Sequence, residues 1–298
     1  FQRVYSSAMA DREVGLGFGW THSLGWHIEV RRTSLRVWNE QGISVDFEDP
    51  PAVGEERIGR FGWLLRHHAT GFELDVDDGV FRLFSESAGA TRWLLSEIRD
   101  RAGNKIALRH EDGRLAGALD SAGREVRFVA AGGRIGAVEV KNAAAQGRWV
   151  TFAQYEYDGD GNLVKVTDAE GYAWTYTYDA RHRLTSHTGR TGLTFQYVYD
   201  REGRAVESWG SYPAVDPALA ADVPVTLADG ETRAKGIFHV KIEYGPNGYR
   251  EVVDSRGLKR FFGNALGLVD KLVDGTSVID STYDERGFLI AEADAVGA

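Results

Sequence analysis

Residues 157–204 read YDGDGNLVKVTDAEGYAWTYTYDARHRLTSHTGRTGLTFQYVYDREGR, and their spacing sets the architecture of the chain around them. Three Tyr-Asp pairs within it, Tyr157-Asp158, Tyr178-Asp179 and Tyr199-Asp200, stand 21 residues apart, and a fourth, Tyr283-Asp284, follows after an interruption. Between the pairs, Leu163, Val164 and Val166 read as a short strand and Asp168 to Gly171 as a turn. Then Tyr172, Trp174, Tyr176 and Tyr178 alternate with Ala173, Thr175 and Thr177. The alternation has period two, the mark of a half-buried strand. The next unit repeats it, with Phe195, Tyr197 and Tyr199 on one face. Each repeat is therefore expected to be a two-strand unit, and units recurring about every 20 residues are expected to stack on a shared core.

The turns have their own chemistry. Asp-x-x-Gly recurs at Asp100 to Gly103, Asp120 to Gly123, Asp168 to Gly171, Asp254 to Gly257 and Asp294 to Gly297, and follows Tyr at Asp158 to Gly161, Asp200 to Gly203 and Asp284 to Gly287. Asp accepts the amide hydrogen two residues on, while Gly in the fourth position tolerates the left-handed backbone that such a hairpin turn requires. His182 replaces this glycine after Asp179, so that turn is expected to be strained or differently shaped.

The remaining composition agrees with an all-β chain. Gly is abundant at 36 residues and Pro scarce at 6, and the 34 aromatics are spread along the chain, as many short strands joined by tight turns require. Acidic residues exceed basic ones 44 to 35, which argues against a nucleic-acid surface. The absence of cysteine excludes disulfides, thiolate metal sites and a cysteine nucleophile. No apolar run approaches the ~20 residues of a membrane-spanning helix. The chain opens at Phe1 inside a strand-like stretch without an initiator Met and is taken as a fragment.

Outside the repeats, residues 1–92 hold strand-like pieces at irregular spacing (His27 to Val37, Ile43 to Phe47, Gly79 to Phe84), as a terminal cap would, and residues 93–298 hold the repeats. Ala143 to Gln146 reads as a bend. Ser211 to Lys235, with Pro213, Pro217 and Pro224, reads as an insertion on a face or edge of the sheet and not in its core, with one helical turn near Pro217 to Ala221.

The quoted units resemble RHS repeats, also called YD repeats, in turn residues, strand alternation and period together. The opening FQRVYSSAMADREVGLGFGWTHSL, with Gly15, Gly17, Gly19 and Trp20, is similar to the segment preceding the repeats in bacterial Rhs proteins. The resemblance implies an antiparallel sheet of hairpin repeats winding as a curved spiral into part of a hollow cocoon. Such a shell encloses a C-terminal toxin domain of the same polypeptide and is delivered by a type VI secretion apparatus or a toxin complex. It further implies a secreted effector held in the producing bacterium before delivery, with secretion spike proteins and an immunity protein as partners. The self-cleaving core motif, the toxin domain and the spike-docking domain of that family are absent from these residues, so no toxin chemistry is assigned to them.

Candidate catalytic constellations yield to simpler readings. Gly15-x-Gly17-x-Gly19 lacks the strand before and the helix after that a phosphate loop needs, and reads as a backbone turn. Asp158-x-Asp160-x-Asn162 begins like a calcium loop but has Leu163 where Gly is required and Ala169 where a bidentate Glu belongs. Asp75, Asp77 and Asp78 suit a solvated hairpin end. His67 and His68 point to opposite strand faces, and structural roles are expected for the histidines, His22 and His27 included. No catalytic, cofactor or metal residue is assigned, and the chain is expected not to be an enzyme. The residues expected to matter are the structural ones: Tyr157, Asp158, Gly161, Asp168, Gly171, Tyr178, Asp179, Tyr199, Asp200, Gly203, Asp254, Gly257, Tyr283, Asp284 and Gly287. Trp174, Tyr176, Tyr178, Tyr197 and Tyr199 are expected to pack between neighbouring turns of the wall. Two rivals stand beside the shell: an adhesive or carbohydrate-binding module using exposed aromatics or the 211–235 insertion, and a carbohydrate-active β-solenoid enzyme.

Overall fold

A computed structural model describes residues 1–142, 144, 146–211 and 225–296. Strand accounts for 56% of the chain and helix for 4%, so the fold is all-β. Packing divides it into two compact units, Phe1–Ala173 and Trp174–Ala298. This division falls inside the repeats.

In the first unit, a ribbon of Arg3–Tyr5 and Trp20–His22 precedes two antiparallel sheets. One sheet has five strands, in the spatial order Glu86–Ser87, Arg92–Leu94, His27–Val30, Leu35–Trp38 and Ser44–Phe47. The other is a meander. It runs through Glu56–Ile58, Leu64–His68, Gly71–Asp75 and Val80–Phe84, then from Glu97–Asp100 through successive hairpins to Arg148–Tyr157 and Leu163–Asp168. The stretch His27 to Val37, expected as one strand, is a hairpin: Val30 pairs with Leu35 across a turn.

The irregular spacing of residues 1–92 conceals the best-packed part of the chain. Ile28, Leu35, Val37, Val45 and Phe47 from the five-stranded sheet meet Leu65, Phe72, Leu74 and Phe84 from the meander, with Trp26 and Trp63 beside them. The apolar positions lie two apart in each strand, so one face of each sheet is buried against the other. Phe84, Ile28, Leu65, Leu74 and Val37 are fully buried, each worth about 1.5–3 kcal/mol.

In the second unit, strands from Ala173–Tyr178 to Leu289–Val296 pair each with the next in antiparallel order. The pairing survives the insertion: Ala205–Ser211 bonds directly to Ile237–Tyr244, with Gly210 opposite Ile237. The helical turn expected near Pro217 to Ala221 lies outside the described residues, as do positions 143 and 145 of the expected bend. Leu227, on the returning arm of the insertion, is buried, and Ala228 donates to the Asp254 carbonyl. The insertion is expected on a face or edge and not in the core; Leu227 departs from that, contributing an apolar side chain to the packing. Past Val253, no described residue is buried, so the strands from Leu258–Gly263 onward form a layer that their own unit leaves half-covered.

Candidate functional site: the tyrosine-aspartate turn

Each Tyr-Asp turn is built the same way. At Asp158 the backbone N–H donates to the Asn162 carbonyl, and the Gly161 N–H donates back to the Asp158 carbonyl. Asp158 Oδ1 then accepts the N–H groups of Asp160 at 3.1 Å and Asn162 at 2.8 Å. The same pair of amides, two and four residues on, is held by Asp100, Asp120, Asp168, Asp179 and Asp284. Asp200 holds the second of the two, from Arg204. Gly103, Gly123, Gly161, Gly171, Gly203 and Gly287 all have φ between +80° and +89°.

His182 takes φ +61° and keeps the same backbone bonds, so its turn is strained as expected and yet has the common shape. Gly257 is a correction. It is not left-handed: Asp254 bonds to the Gly257 carbonyl itself, closing the loop one residue sooner, and Val253 pairs with Leu258. Asp294 is another, since it lies within the strand Leu289–Val296 opposite Ile279 and opens no described turn; Gly297 lies outside the described residues.

Closing five residues this way puts the strands out of step by one. Tyr157 pairs with Leu163, Tyr178 with Leu184, Tyr199 with Ala205 and Tyr283 with Leu289, and each time the register slips just before the tyrosine. Such a bulge bends the strand and re-aims the side chain beside it. The tyrosine hydroxyls reach back along the sheet to a carbonyl near the previous turn. Tyr157 donates to Ile135 at 2.7 Å, Tyr199 to Leu184 at 2.8 Å and Tyr283 to Val269 at 3.0 Å. Leu184 is the residue paired with Tyr178, so Tyr199 fastens its own hairpin to the start of the one before.

Arginine completes the latch. Arg183 donates Nε to Asp179 Oδ2 at 2.7 Å and Nη1 to the Asp200 carbonyl at 3.1 Å, and its guanidinium lies 5.1 Å from the Tyr199 ring centre. Arg204 likewise holds Asp200 at 2.7 Å and lies 4.5 Å from the ring of Tyr244. Arg134 sits 5.5 Å from Tyr157. Burial of Asp179 pushes its carboxyl up, but the Arg183 side chain and the loop amides outweigh this and hold it below the usual range. At Asp120 the Arg124 amide is the main cause of the same depression.

Several members of this system are missed by searching for Tyr-Asp alone. Tyr244, followed by Gly245, donates to the Ala205 carbonyl at 3.1 Å. Asn39 and Asn264 replace Asp and hold the same two amides. The signal was available in Asn39 to Gly42, Asn264 to Gly267 and the arginines four residues after Asp120, Asp179 and Asp200. Of the aromatics expected to pack, Tyr176 is buried while Trp174, Tyr178, Tyr197 and Tyr199 are half-buried; Tyr172 is exposed. Tyr197 hydrogen-bonds His187 Nδ1 at 2.9 Å.

The glycine turn near the start docks onto the first Tyr-Asp turn. Glu13 accepts the Gly15 and Gly17 N–H groups, so the chain's own carboxylate occupies the place a bound anion would take. Gly17 lies so close that an added Cβ would sit 2.8 Å from the Gly161 carbonyl oxygen. His67 stacks on Phe72 and His68 is exposed, and among the described residues no group of three or more His, Asp or Glu could hold a metal. No helix among the described residues is long and apolar enough to cross a membrane.

Residues 157–194 match the family model RHS Repeat, and residues 1–47 match Domain of unknown function (DUF6531). No curated protein matches the chain. Among solved structures, a Photorhabdus luminescens Tc holotoxin pore is similar at TM-score 0.36 and 11% identity, over 93% of this chain and 18% of that one. TcdB2-TccC3 matches at 0.36 and 11%, over 92% and 18%, and the form without its hypervariable C-terminal region at 0.35 and 11%, over 93% and 14%. The chain thus spans less than a fifth of the length of these structures. The chain carries an RHS repeat and a DUF6531 domain, both typical of Rhs, or YD-repeat, proteins, and the geometry of the matched repeat's turns recurs in both units.

Proposed function

We propose that this chain is a length of wall in a secreted Rhs-type toxin, a non-enzymatic barrier enclosing a toxin domain carried C-terminally on the same polypeptide. The observation that carries this reading is the latch. The residues that define the repeat are consumed in fastening hairpin to hairpin, through the Tyr199 and Tyr283 hydroxyls and the Arg183 and Arg204 bridges. A sheet whose backbone groups are paired strand after strand offers an enclosed polypeptide no route out except by opening the ladder. The half-covered strands beyond Val253 suit a wall whose face is covered by other parts of a larger assembly.

On this reading the protein is a secreted effector, held in the producing bacterium until a type VI apparatus or a toxin complex delivers it. Spike proteins and an immunity protein are then its partners. The test is limited proteolysis of the full-length parent polypeptide. The enclosed domain is expected to resist cleavage until denaturant opens the wall, and cleavage as fast as that of the free domain refutes containment. Glycan binding by this chain, lost on substituting Tyr172 or Phe238, would favour adhesion instead; hydrolytic activity lost on a single carboxylate substitution would make it an enzyme.

A further inference from the structure

A cavity of about 280 Å³ in the first unit is lined by apolar Leu24, Trp26 and Leu115 and by His22, Arg92 and Arg134, among others. Arginines outnumber acids in its lining, Arg92, Arg114 and Arg134 against Glu13 and Asp112. Glu13 is engaged by the Gly15 and Gly17 amides, with Arg134 3.8 Å away, and Asp112 is exposed in a hairpin turn. The Arg92 side chain forms no hydrogen bond or ion pair among the described residues, its Nε is buried without a partner, and burial disfavours its charge more than the carboxylates of Glu29 and Glu13 support it. It sits close enough to His22, His27 and His110 to disfavour protonation of all three.

Two of these histidines have partners on their Nδ1 atoms. His27 faces the Gly25 carbonyl at 3.0 Å and His110 faces Glu86 at 3.1 Å. His22 has none: it is 3% exposed, and its Nδ1 is buried and unpaired. A half-buried guanidinium and a buried ring nitrogen left unsatisfied beside one cavity each cost free energy that an anionic acceptor would recover.

We propose that this cavity binds a small organic carboxylate, its charged end on Arg92 and His22 Nδ1 and its apolar body against Leu24, Trp26 and Leu115. A planar carboxylate matches the guanidinium fork, and neutral His22 donates from Nδ1 in one of its two tautomers. Burial, first, and the neighbouring cations hold His22 at a pKa of about 3, so this donor carries no charge at neutral pH and Arg92 supplies the attraction. The apolar residues of the lining select against bare inorganic anions. The carboxylate has two sources, a free small acid or an acidic residue of a polypeptide segment.

The test is calorimetric titration of the 298-residue chain with hexanoate, hexanamide, inorganic phosphate and a capped Leu-Asp-Leu peptide, with the His22 ring signal followed by NMR. Hexanoate is expected to bind and shift that signal, with hexanamide and phosphate at least tenfold weaker. Arg92→Gln should weaken hexanoate at least tenfold and Arg92→Lys less. Peptide binding tighter than hexanoate assigns the site to a polypeptide segment, and the reverse assigns it to a free acid. Equal binding of hexanamide overturns the charge assignment, and equal binding of phosphate overturns the apolar one. No shift at His22 overturns the location. The comparison of the four ligands on the unaltered chain stands even if the Arg92 variants fail to fold.

Discussion

The loop from Gly189 to Leu193 offers a stringent test of the turn chemistry, because it has the shape without the acid. Gly189 donates to the Leu193 carbonyl at 2.8 Å and Gly192 donates back to Gly189 at 2.9 Å, the same ring that Asp158 and Asp168 close. Gly192 is left-handed at φ +82°; Gly189 is not left-handed, and a Cβ added there meets only the Leu193 oxygen, at 3.8 Å. In Gly189→Asp the new carboxylate should accept the Thr191 and Leu193 amides. Each bond contributes a net ~0.5–1.5 kcal/mol, and restricting the unfolded chain adds ~0.4–1 kcal/mol. After the entropy of fixing the side chain, the gain is about 2 kcal/mol. That corresponds to a rise in melting temperature of about 4–8 °C. Gly189→Ala supplies the unfolded-state part alone, about 0.4–1 kcal/mol. Thermal unfolding of the three proteins, with hydrogen exchange over residues 184–199, separates the contributions. A Gly189→Asp protein no more stable than Gly189→Ala, with Leu193 exchanging as before, would refute the claim that the repeat aspartate is present for its two amides.

Tyr199→Phe removes the hydroxyl that donates to Leu184 and should cost about 0.5–1.5 kcal/mol by denaturant unfolding; no change would mean the latch is incidental. Gly171→Ala has open space around the new Cβ and should cost about 1–2 kcal/mol from its left-handed backbone alone. Gly17→Ala should cost more, since its Cβ would press on the Gly161 carbonyl; equal losses would show that the docking contact gives way freely. The depressed carboxyls of Asp158, Asp179 and Asp254 contribute stability that is complete above the ordinary Asp range near pH ~4 and is lost as pH falls through their lower folded values. Unfolding midpoints should therefore drop below about pH 4. Asp158→Asn should flatten that drop while keeping the turn, as Asn264 keeps its own.

The repeats were legible because their signals are local. Asp accepting an amide two residues on and glycine at positive φ depend on four or five consecutive residues, and period-two alternation needs only one strand. The tyrosine's role was not legible, because its partner lies 14 to 39 residues away and the bulge that re-aims it appears only in the paired ladder. Gly257 misled for the same reason: Asp-Ser-Arg-Gly fits the pattern, and it is the pairing of Val253 with Leu258 that shortens its loop. Residues 1–92 were underestimated because Trp26, Leu35, Val45 and Phe84 lie on strands from two sheets that meet only in three dimensions. The cavity at Arg92 was invisible in sequence, since His22, Arg92 and Arg134 come from three separate strands.

The contrast between the core around Ile28 and the strands beyond Val253 shows what the turns supply where packing does not. Around Ile28, Val37, Leu65 and Phe84, two sheets bury each other, and register follows from which side chains fill the core. Beyond Val253 no described side chain is buried, so a slip of one residue there would forfeit little apolar burial within the unit. Register must then come from the turns. Asn264 and Asp284 hold their loop amides, and the Tyr283 hydroxyl ties its hairpin to Val269. Each device is polar, local and indifferent to what lies against the sheet face. A half-covered sheet can thereby keep one register over many strands without a core of its own.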